Sequence, residues 1–321
     1  MIAENVMIDP KAGYIRYIIN PKSGASSSKL VVQQFLMWLV NRGFLVTEVE
    51  TVSLEHAREI AAAAAGDADC SCVIAAGGDG TVREVAHGLQ GSGKPFLMIP
   101  GGTENLLANE LGLDDDLPLL IRTFNAGFTR DLDLGLVNGS VFTSITGVGF
   151  DGEVVKLVSA DRDGHIQHFD YFWPIWRTFF NARFPLMKVE ADGREIFDGP
   201  CMAFVGNISR YAIGLQILGR ADYGDGLLDV CVYRCDSKPH LVKHSLMTIC
   251  KRHTYCKDVV YCQARHIRIS SSQQDVATEI DGDPGPPLPL DISVVPRAVR
   301  VLVPEGARPA GMRTRIRRML G

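Results

Sequence analysis

The sequence predicts an α/β domain built on a doubly wound parallel sheet, followed by an all-β sandwich. Three observations carry that expectation. Apolar strand patterns alternate with helical ones through the first third of the chain. Glycine-rich turns follow three of those strands. Beyond Phe128 the texture changes to short β-rich segments broken by Gly, Asp or Pro.

Residues 14–20 (YIRYIIN) read as a buried strand, and 27–42 as a helix ending at Gly43. Residues 44–50 alternate as a second strand, and the Ala-rich 54–65 form a helix stopped by Gly66. Residues 72–76 are a third strand, followed at once by GGDGT and a helix over 82–89. Residues 96–99 are a fourth, followed by PGGT and a helix through Glu110. In such sheets ligands bind beyond the carboxyl ends of the strands, which is where the glycine turns lie. Strands are then expected at 129–137, 141–148, 186–190, 202–205, 228–233, 266–270 and 292–295, with helical inserts at 170–182 and 240–256. The expected domains are 1–128 and 129–307, with a basic tail at 308–321.

Length and composition fit this division. The chain has 321 residues, too many for one ordinary core, with 46% apolar and 22% charged residues. A formal net charge of −4 gives no electrostatic case for nucleic acid. No signal-peptide pattern opens the chain, and no run approaches the roughly 18 apolar residues of a membrane span. The eight cysteines form no CxxC pair and suit reduced, buried thiols of a cytoplasmic protein. The eight histidines suggest no metal-ligand set.

Three loops carry the chemistry. Asn20-Pro21-Lys22-Ser23-Gly24 follows the first strand and precedes a helix, where backbone N–H groups and the helix N-terminus suit an anion. Alone, it is equally a structural turn. In Gly77-Gly78-Asp79-Gly80-Thr81 three glycines let backbone approach phosphates, and Asp79 offers a carboxylate to a metal or a proton. Asp79 as a helix N-cap is the bland alternative. Glu84 lies one turn onward, placed to orient the loop. Gly101-Gly102-Thr103-Glu104-Asn105 forms a second glycine loop at the next strand end, with Thr103 and Asn105 as donors and Thr51 on the same rim. Neither GxGxxG nor GxxxxGK[ST] is present.

NPKSG, GGDGTVREVAHGL and PGGTENLLANELGL, in this order, resemble the diacylglycerol kinase catalytic-domain family, which includes bacterial lipid kinases and sphingosine kinases. GVGFDGEVV, VGNISRYAIGLQILGRADYGDGLLDV and EIDGDP agree, so the resemblance spans about residues 14–303. GGDG also occurs in NAD kinases and phosphofructokinases, whose fold the N-terminal domain is expected to share.

The resemblance implies an ATP- and Mg²⁺-dependent kinase that binds ATP between its domains, with nucleotide contacts at Asn20 to Gly24, Thr51, Gly77 to Glu84, Gly102, Thr103 and Asn105. It assigns the general base to the late DG[ED] motif, here Asp281-Gly282-Asp283. Asp283 then takes the proton, and Asp79 organises Mg²⁺ and phosphate. Asp283 stands where the family most often has Glu, and in sphingosine kinases the Asp of the glycine loop is a candidate base instead. The resemblance also implies a structural Mg²⁺ at Asp222, Asp225 and Leu227. An Asp-Gly turn is the alternative there. Several bacterial relatives carry Asp where this chain has Leu106.

The acceptor implied is a hydroxyl of a membrane lipid, met peripherally from the cytoplasm. The aromatic run 170–180 is expected to line an acyl pocket or a core, and the arginines from Arg308 onward to attract anionic lipid or stay solvated. A homodimer is an expectation from the relatives alone. The competing readings are a kinase of a soluble substrate, of the NAD kinase type, and an inactive lipid-binding regulatory module.

Overall fold

The computed structural model describes residues 4–24, 26–160 and 183–307. The chain forms two compact units. One runs to Leu134 and resumes at Pro296, and the other is Gly135–Val295.

The first unit contains β1 (Glu4–Asn5), β2 (Tyr14–Ile19), α1 (Ser26–Asn41), β3 (Leu45–Glu50), α2 (Leu54–Gly66), β4 (Cys70–Gly77), α3 (Asp79–Gly88), β5 (Pro95–Pro100), α4 (Leu106–Leu111), α5 (Leu117–Ala126) and the start of β6 (Phe128–Val137). Strands β3, β2, β4 and β5 lie parallel in that order, and Arg300 and Val301 extend the sheet beside β5. Strand order therefore reverses after β3. Right-handed crossovers then put α1 on one face and α2 and α3 on the other. Accordingly α2 packs on α3, and α1 on α5. This is the doubly wound sheet read from the sequence, and its switch point falls between β2 and β4.

The central strand β5 is buried throughout, and β4 nearly so, as a sheet covered on both faces requires. The edge strand β3 is largely exposed. Ser53 caps α2 by accepting from the His56 N–H at 3.0 Å. Gly88 lets α2 and α3 touch, since a Cβ there would lie 2.5 Å from the Arg58 carbonyl. Two helices differ from the sequence expectation: α5 had no counterpart in it, and α3 begins at Asp79, not at Val82. Gly78 is the N-cap, and its carbonyl accepts from Val82 N at 3.1 Å. The glycine motif is thus the first turn of the helix, with the Asp79 carboxylate at the positive end of its dipole.

The second unit contains β7 (Ser140–Phe142), β8 (Ile145–Val148), α6 (Phe150–Ala160), β9 (Leu186–Ala191), β10 (Arg194–Gly206), β11 (Leu228–Arg234), α7 (Lys238–Ile249), β12 (Val259–Ala264), β13 (His266–Ser270), β14 (Thr278–Ile280), β15 (Asp283–Pro284) and the first part of β16 (Leu290–Leu302). All its strand pairs are antiparallel. The ladder β15-β14-β8-β10-β11-β12 forms one sheet and β10-β9-β13-β16 the other, with β10 serving both. Val148, Val205 and Val230 of the first meet Val189, Ile269 and Leu290 of the second in a common core.

Strands β12, β14 and β15 and the helix α6 were absent from the sequence expectation. The first lacks a clean alternation, the next two are very short, and α6 starts inside a glycine-punctuated motif. The expected helix 240–256 is divided: α7 ends at Ile249 and a separate 3₁₀ turn covers His253–Tyr255. The aromatic run 170–180 and the tail from Arg308 lie outside the described residues.

Candidate active site

In the first unit three loops leave the carboxyl ends of β2, β4 and β5 around the switch point. Asn20 ties the first to the second. Its N–H donates to the Ala76 carbonyl (3.0 Å) and its Nδ2 to Thr81 Oγ1 (3.0 Å). Its Oδ1 accepts from Lys22 N (3.0 Å), and its carbonyl accepts from Ser23 Oγ (2.9 Å), which closes the turn. The Pro21 carbonyl accepts from Lys29 Nζ at 3.1 Å.

The second and third loops meet backbone to backbone. Gly101 N donates to the Gly77 carbonyl at 2.9 Å. A Cβ on Gly102 would stand 2.7 Å from Gly78 Cα, and one on Gly78 would stand 3.2 Å from Gly102 Cα. Asn105, left-handed at φ 47°, clamps the loop: its Oδ1 accepts from Gly102 N (2.7 Å) and its Nδ2 donates to the Gly102 carbonyl (2.8 Å). A cleft of about 210 Å³ opens here, lined among others by Asn20, Ser23, Gly24, Gly77 and Gly101.

The fold therefore gathers Asn20, Pro21, Ser23, Gly24, Gly77, Gly78, Thr81, Gly102 and Asn105. Lys22 is exposed beside them, and Asp79 and Gly80 open α3. Thr51 is buried just past β3, its N–H bonded to the Ile19 carbonyl at 2.8 Å. Thr103 is on the third loop. The Glu84 carboxylate lies 3.3 Å from Arg83 Nε and 3.9 Å from Arg58, on the seam between α2 and α3.

In the second unit, Asp281 and Gly282 turn β14 into β15 with φ of 48° and 80°, the signature of a type I′ hairpin. The Asp281 carboxylate accepts from Thr143 N (2.8 Å), Ser144 N (2.9 Å), Ile145 N (3.0 Å) and Thr143 Oγ1 (3.1 Å). Asp281 is thus an anchor. Asp283 opens β15 opposite Ile280 and is half-buried.

Beside this hairpin lies an acid pair that the sequence reading missed. Asp151, on α6, accepts from the Tyr211 hydroxyl, and Glu279 Oε2 accepts from Gly282 N at 2.8 Å. The remaining oxygens, Asp151 Oδ2 and Glu279 Oε1, are buried and converge over Gly147, where a Cβ would lie 2.2 and 3.0 Å from them. A proton held between the two carboxyls is the donor that satisfies both. Burial above all, and then the Asp151 charge, hold the Glu279 carboxyl well above the usual range, and burial raises Asp151 too. The signal available in the sequence was an acid directly after GVGF and another before DGD.

Raised folded values mean that the folded state keeps protons which the unfolded chain releases. The resulting stability is full below the unfolded carboxyl value of about 4.3 and is lost as pH rises through the folded values. We therefore expect the pair to draw Tm down as pH rises, so that between these pH values Tm falls less, or rises more, in Glu279→Gln, where the amide replaces the shared proton. Calorimetry from about pH 5 to about pH 9 measures this. Equal slopes would place the titration elsewhere.

The Asp222–Leu227 segment forms a turn in which Asp222 Oδ1 accepts from Gly224 N (3.2 Å) and Asp225 Oδ1 from Leu227 N (3.1 Å). Gln263 Nε2 is shared between Asp225 Oδ2 (3.2 Å) and Asp229 Oδ2 (3.0 Å). Burial, with a smaller contribution from the Asp225 charge, pushes Asp229 up to about 6, against the donors Tyr261 and Gln263. Among the described residues no three His, Cys, Asp or Glu side chains cluster as metal ligands. His244 and His253 are buried, each with Nε2 2.8 Å from a backbone carbonyl. Five of the eight cysteines are buried and all are free. A further cavity of about 440 Å³ is lined by Gly149, Glu153, Phe184, Pro185, Val276 and others.

Residues 15–137 match the Diacylglycerol kinase catalytic domain, and residues 144–303 match the YegS C-terminal NAD kinase beta sandwich-like domain. A Mycobacterium tuberculosis (strain H37Rv) diacylglycerol kinase is 30% identical over 299 residues, covering 91% of this chain and 96% of the relative. The chain belongs to the diacylglycerol kinase catalytic-domain family. As a member, it is a phosphotransferase with an alcohol acceptor. A Bacillus subtilis diacylglycerol kinase is 27% identical over 294 residues, 90% of this chain and 96% of that one. The crystal structure of a diacylglycerol kinase from Bacillus anthracis str. Sterne shares the fold, with a TM-score of 0.67 at 18% identity over 92% of this chain and 98% of that one. No described helix is long and apolar enough to cross a membrane.

Proposed function

We propose that this family member is an ATP- and Mg²⁺-dependent lipid kinase, which transfers the γ-phosphate to a hydroxyl of a membrane lipid such as diacylglycerol while bound peripherally at the cytoplasmic face. The observation that carries the reading is the approach of Gly78 to Gly102 beyond the carboxyl ends of β4 and β5, next to the switch point. The two loops meet too closely for a Cβ on either glycine, so their bare backbone lies side by side at the strand ends, as N–H groups that receive phosphates must.

ATP with Mg²⁺ would supply the phosphoryl group and neutralise its charge. The residues Asn20 to Gly24, Gly77 to Thr81, Gly102, Thr103 and Asn105 would hold the phosphates, with N–H groups at the start of α3 facing them. Asp79 would meet the metal. Asp283 would accept the proton of the lipid hydroxyl as its oxygen bonds to phosphorus. Asp281 keeps Asp283 in place, because its carboxylate pins the hairpin to the backbone of Thr143, Ser144 and Ile145. The 440 Å³ cavity, where Glu153, Arg183, Gln273 and Asp275 stand with Phe184 and Val276, has polar groups suited to a lipid headgroup.

The deciding experiment is transfer of γ-³²P from ATP to a panel of lipids in mixed micelles, with Asp79→Ala and Asp283→Ala beside wild type. Labelled lipid, lost in both variants, supports the reading. Labelling of NAD alone would move the acceptor to soluble metabolites.

For the Asp222–Leu227 turn we propose a structural Mg²⁺ held by Asp225 with oxygens of Asp222 and Leu227. The donors are hard oxygens, the kind that Mg²⁺ prefers. Millimolar Mg²⁺ is then expected to raise the Tm of wild type and not of Asp225→Asn. Equal Tm shifts in the two proteins would exclude this site.

A further inference from the structure

The helix α7 turns Leu241, His244 and Thr248 inward, where they are buried. Its outer side presents Val242, Leu246 and Ile249 at 43%, 57% and 61% exposure. At about 100° per residue these three fall, with Pro239, on one stripe. Lys238 and Lys243 lie on its two flanks. Just beyond the helix, Lys251, Arg252 and Lys257 are exposed, as is Tyr255 at 71%. Residues 236–258 hold these five cations against Asp236 and Asp258, in a chain whose net charge is −4. Both acids are already engaged, Asp258 by Lys243 and Asp236 by His240.

We propose that this face of α7, with the turn after it, docks on an anionic lipid bilayer. The proposal deepens the lipid-kinase reading by naming the surface that brings the enzyme to its substrate. A bilayer meets both halves of the pattern. The acyl boundary takes the aliphatic stripe, and anionic headgroups meet the exposed Lys251, Arg252 and Lys257 of the turn after the helix. A protein groove would need acidic rims along both edges of the stripe to do the same. The net negative charge of the chain makes the orientation selective, because only a locally cationic face can approach an anionic surface.

The test is co-sedimentation with vesicles of phosphatidylglycerol and phosphatidylcholine, and with phosphatidylcholine alone. Wild type should bind the anionic vesicles and release them as salt rises. Leu246→Glu with Ile249→Glu, and separately Lys251→Glu with Arg252→Glu, should each weaken binding by roughly tenfold or more, with unchanged Tm because all four side chains are exposed. Phosphorylation of lipid held in vesicles should fall in parallel, while turnover of a short-chain diacylglycerol dissolved as monomer should not change. Wild-type binding in both variants would overturn the proposal. So would a dimer in gel filtration that the Leu246 and Ile249 substitutions dissociate, since a second copy would then cover the face. If wild type binds through this face yet phosphorylates no lipid, the docking surface stands and the kinase reading fails.

Discussion

Replacing Asp283 by Asn is expected to lower lipid phosphorylation by about 100- to 10 000-fold, with ATP affinity and Tm close to wild type. Asparagine keeps the size and the hydrogen-bonding edge of the side chain but cannot take a proton. Asp283 is half-buried at the start of β15, so the substitution leaves no buried charge unpaired. Its neighbour provides the contrast. Asp281→Ala strips four donors of their acceptor, and its effect should appear first in Tm, since orphaned buried donors cost about 1–3 kcal/mol each. Kinetics and calorimetry on the two variants separate a base from an anchor two residues apart. Full turnover in Asp283→Asn would transfer the base role to Asp79. Asp283→Glu should retain part of the activity, because the carboxylate survives at a shifted position.

Gly102→Ala is expected to abolish measurable ATP binding and to destabilise the first unit by about 1–3 kcal/mol. The added Cβ would lie 2.7 Å from Gly78 Cα and 3.0 Å from Asn105 Oδ1. Neither neighbour can step aside. Gly78 caps α3, and Asn105 is held by two hydrogen bonds to Gly102 itself. Relief would have to come from parting the ends of β4 and β5, where the phosphates are proposed to lie. Gly80→Ala is the control for stability: its Cβ would meet only Leu54, at 3.5 Å, and alanine is the better helix former. Calorimetric titration with ATP and a Tm for each variant test both halves. ATP binding by Gly102→Ala at wild-type strength would refute the cradle.

The alternation of strands and helices, the three loops and the change of texture after Phe128 were all legible, because period and turn chemistry are local properties of a chain. The short strands β14 and β15 were not, since two or three residues carry no period. The roles within Asp281-Gly282-Asp283 were only half legible. The resemblance pointed to the motif, and φ values with four donors to one carboxylate then distinguished anchor from candidate base. Glu84 shows the opposite limit. Spacing put it one turn from the glycine loop, but its partner Arg58 on the neighbouring helix, 3.9 Å away, could not be read from the chain.

By itself the sequence determined which segments become strands and helices, where backbone is left bare by glycine, and which family's motifs the chain carries. Tertiary structure alone decided that the strand order reverses at β2 and β4, that Gly78 and Gly102 meet, and that Asp151 and Glu279 converge over Gly147. The reason is physical. Local preferences act over a few residues, whereas a steric clearance or a shared proton depends on distances between groups far apart in the chain, and only the packed fold sets those.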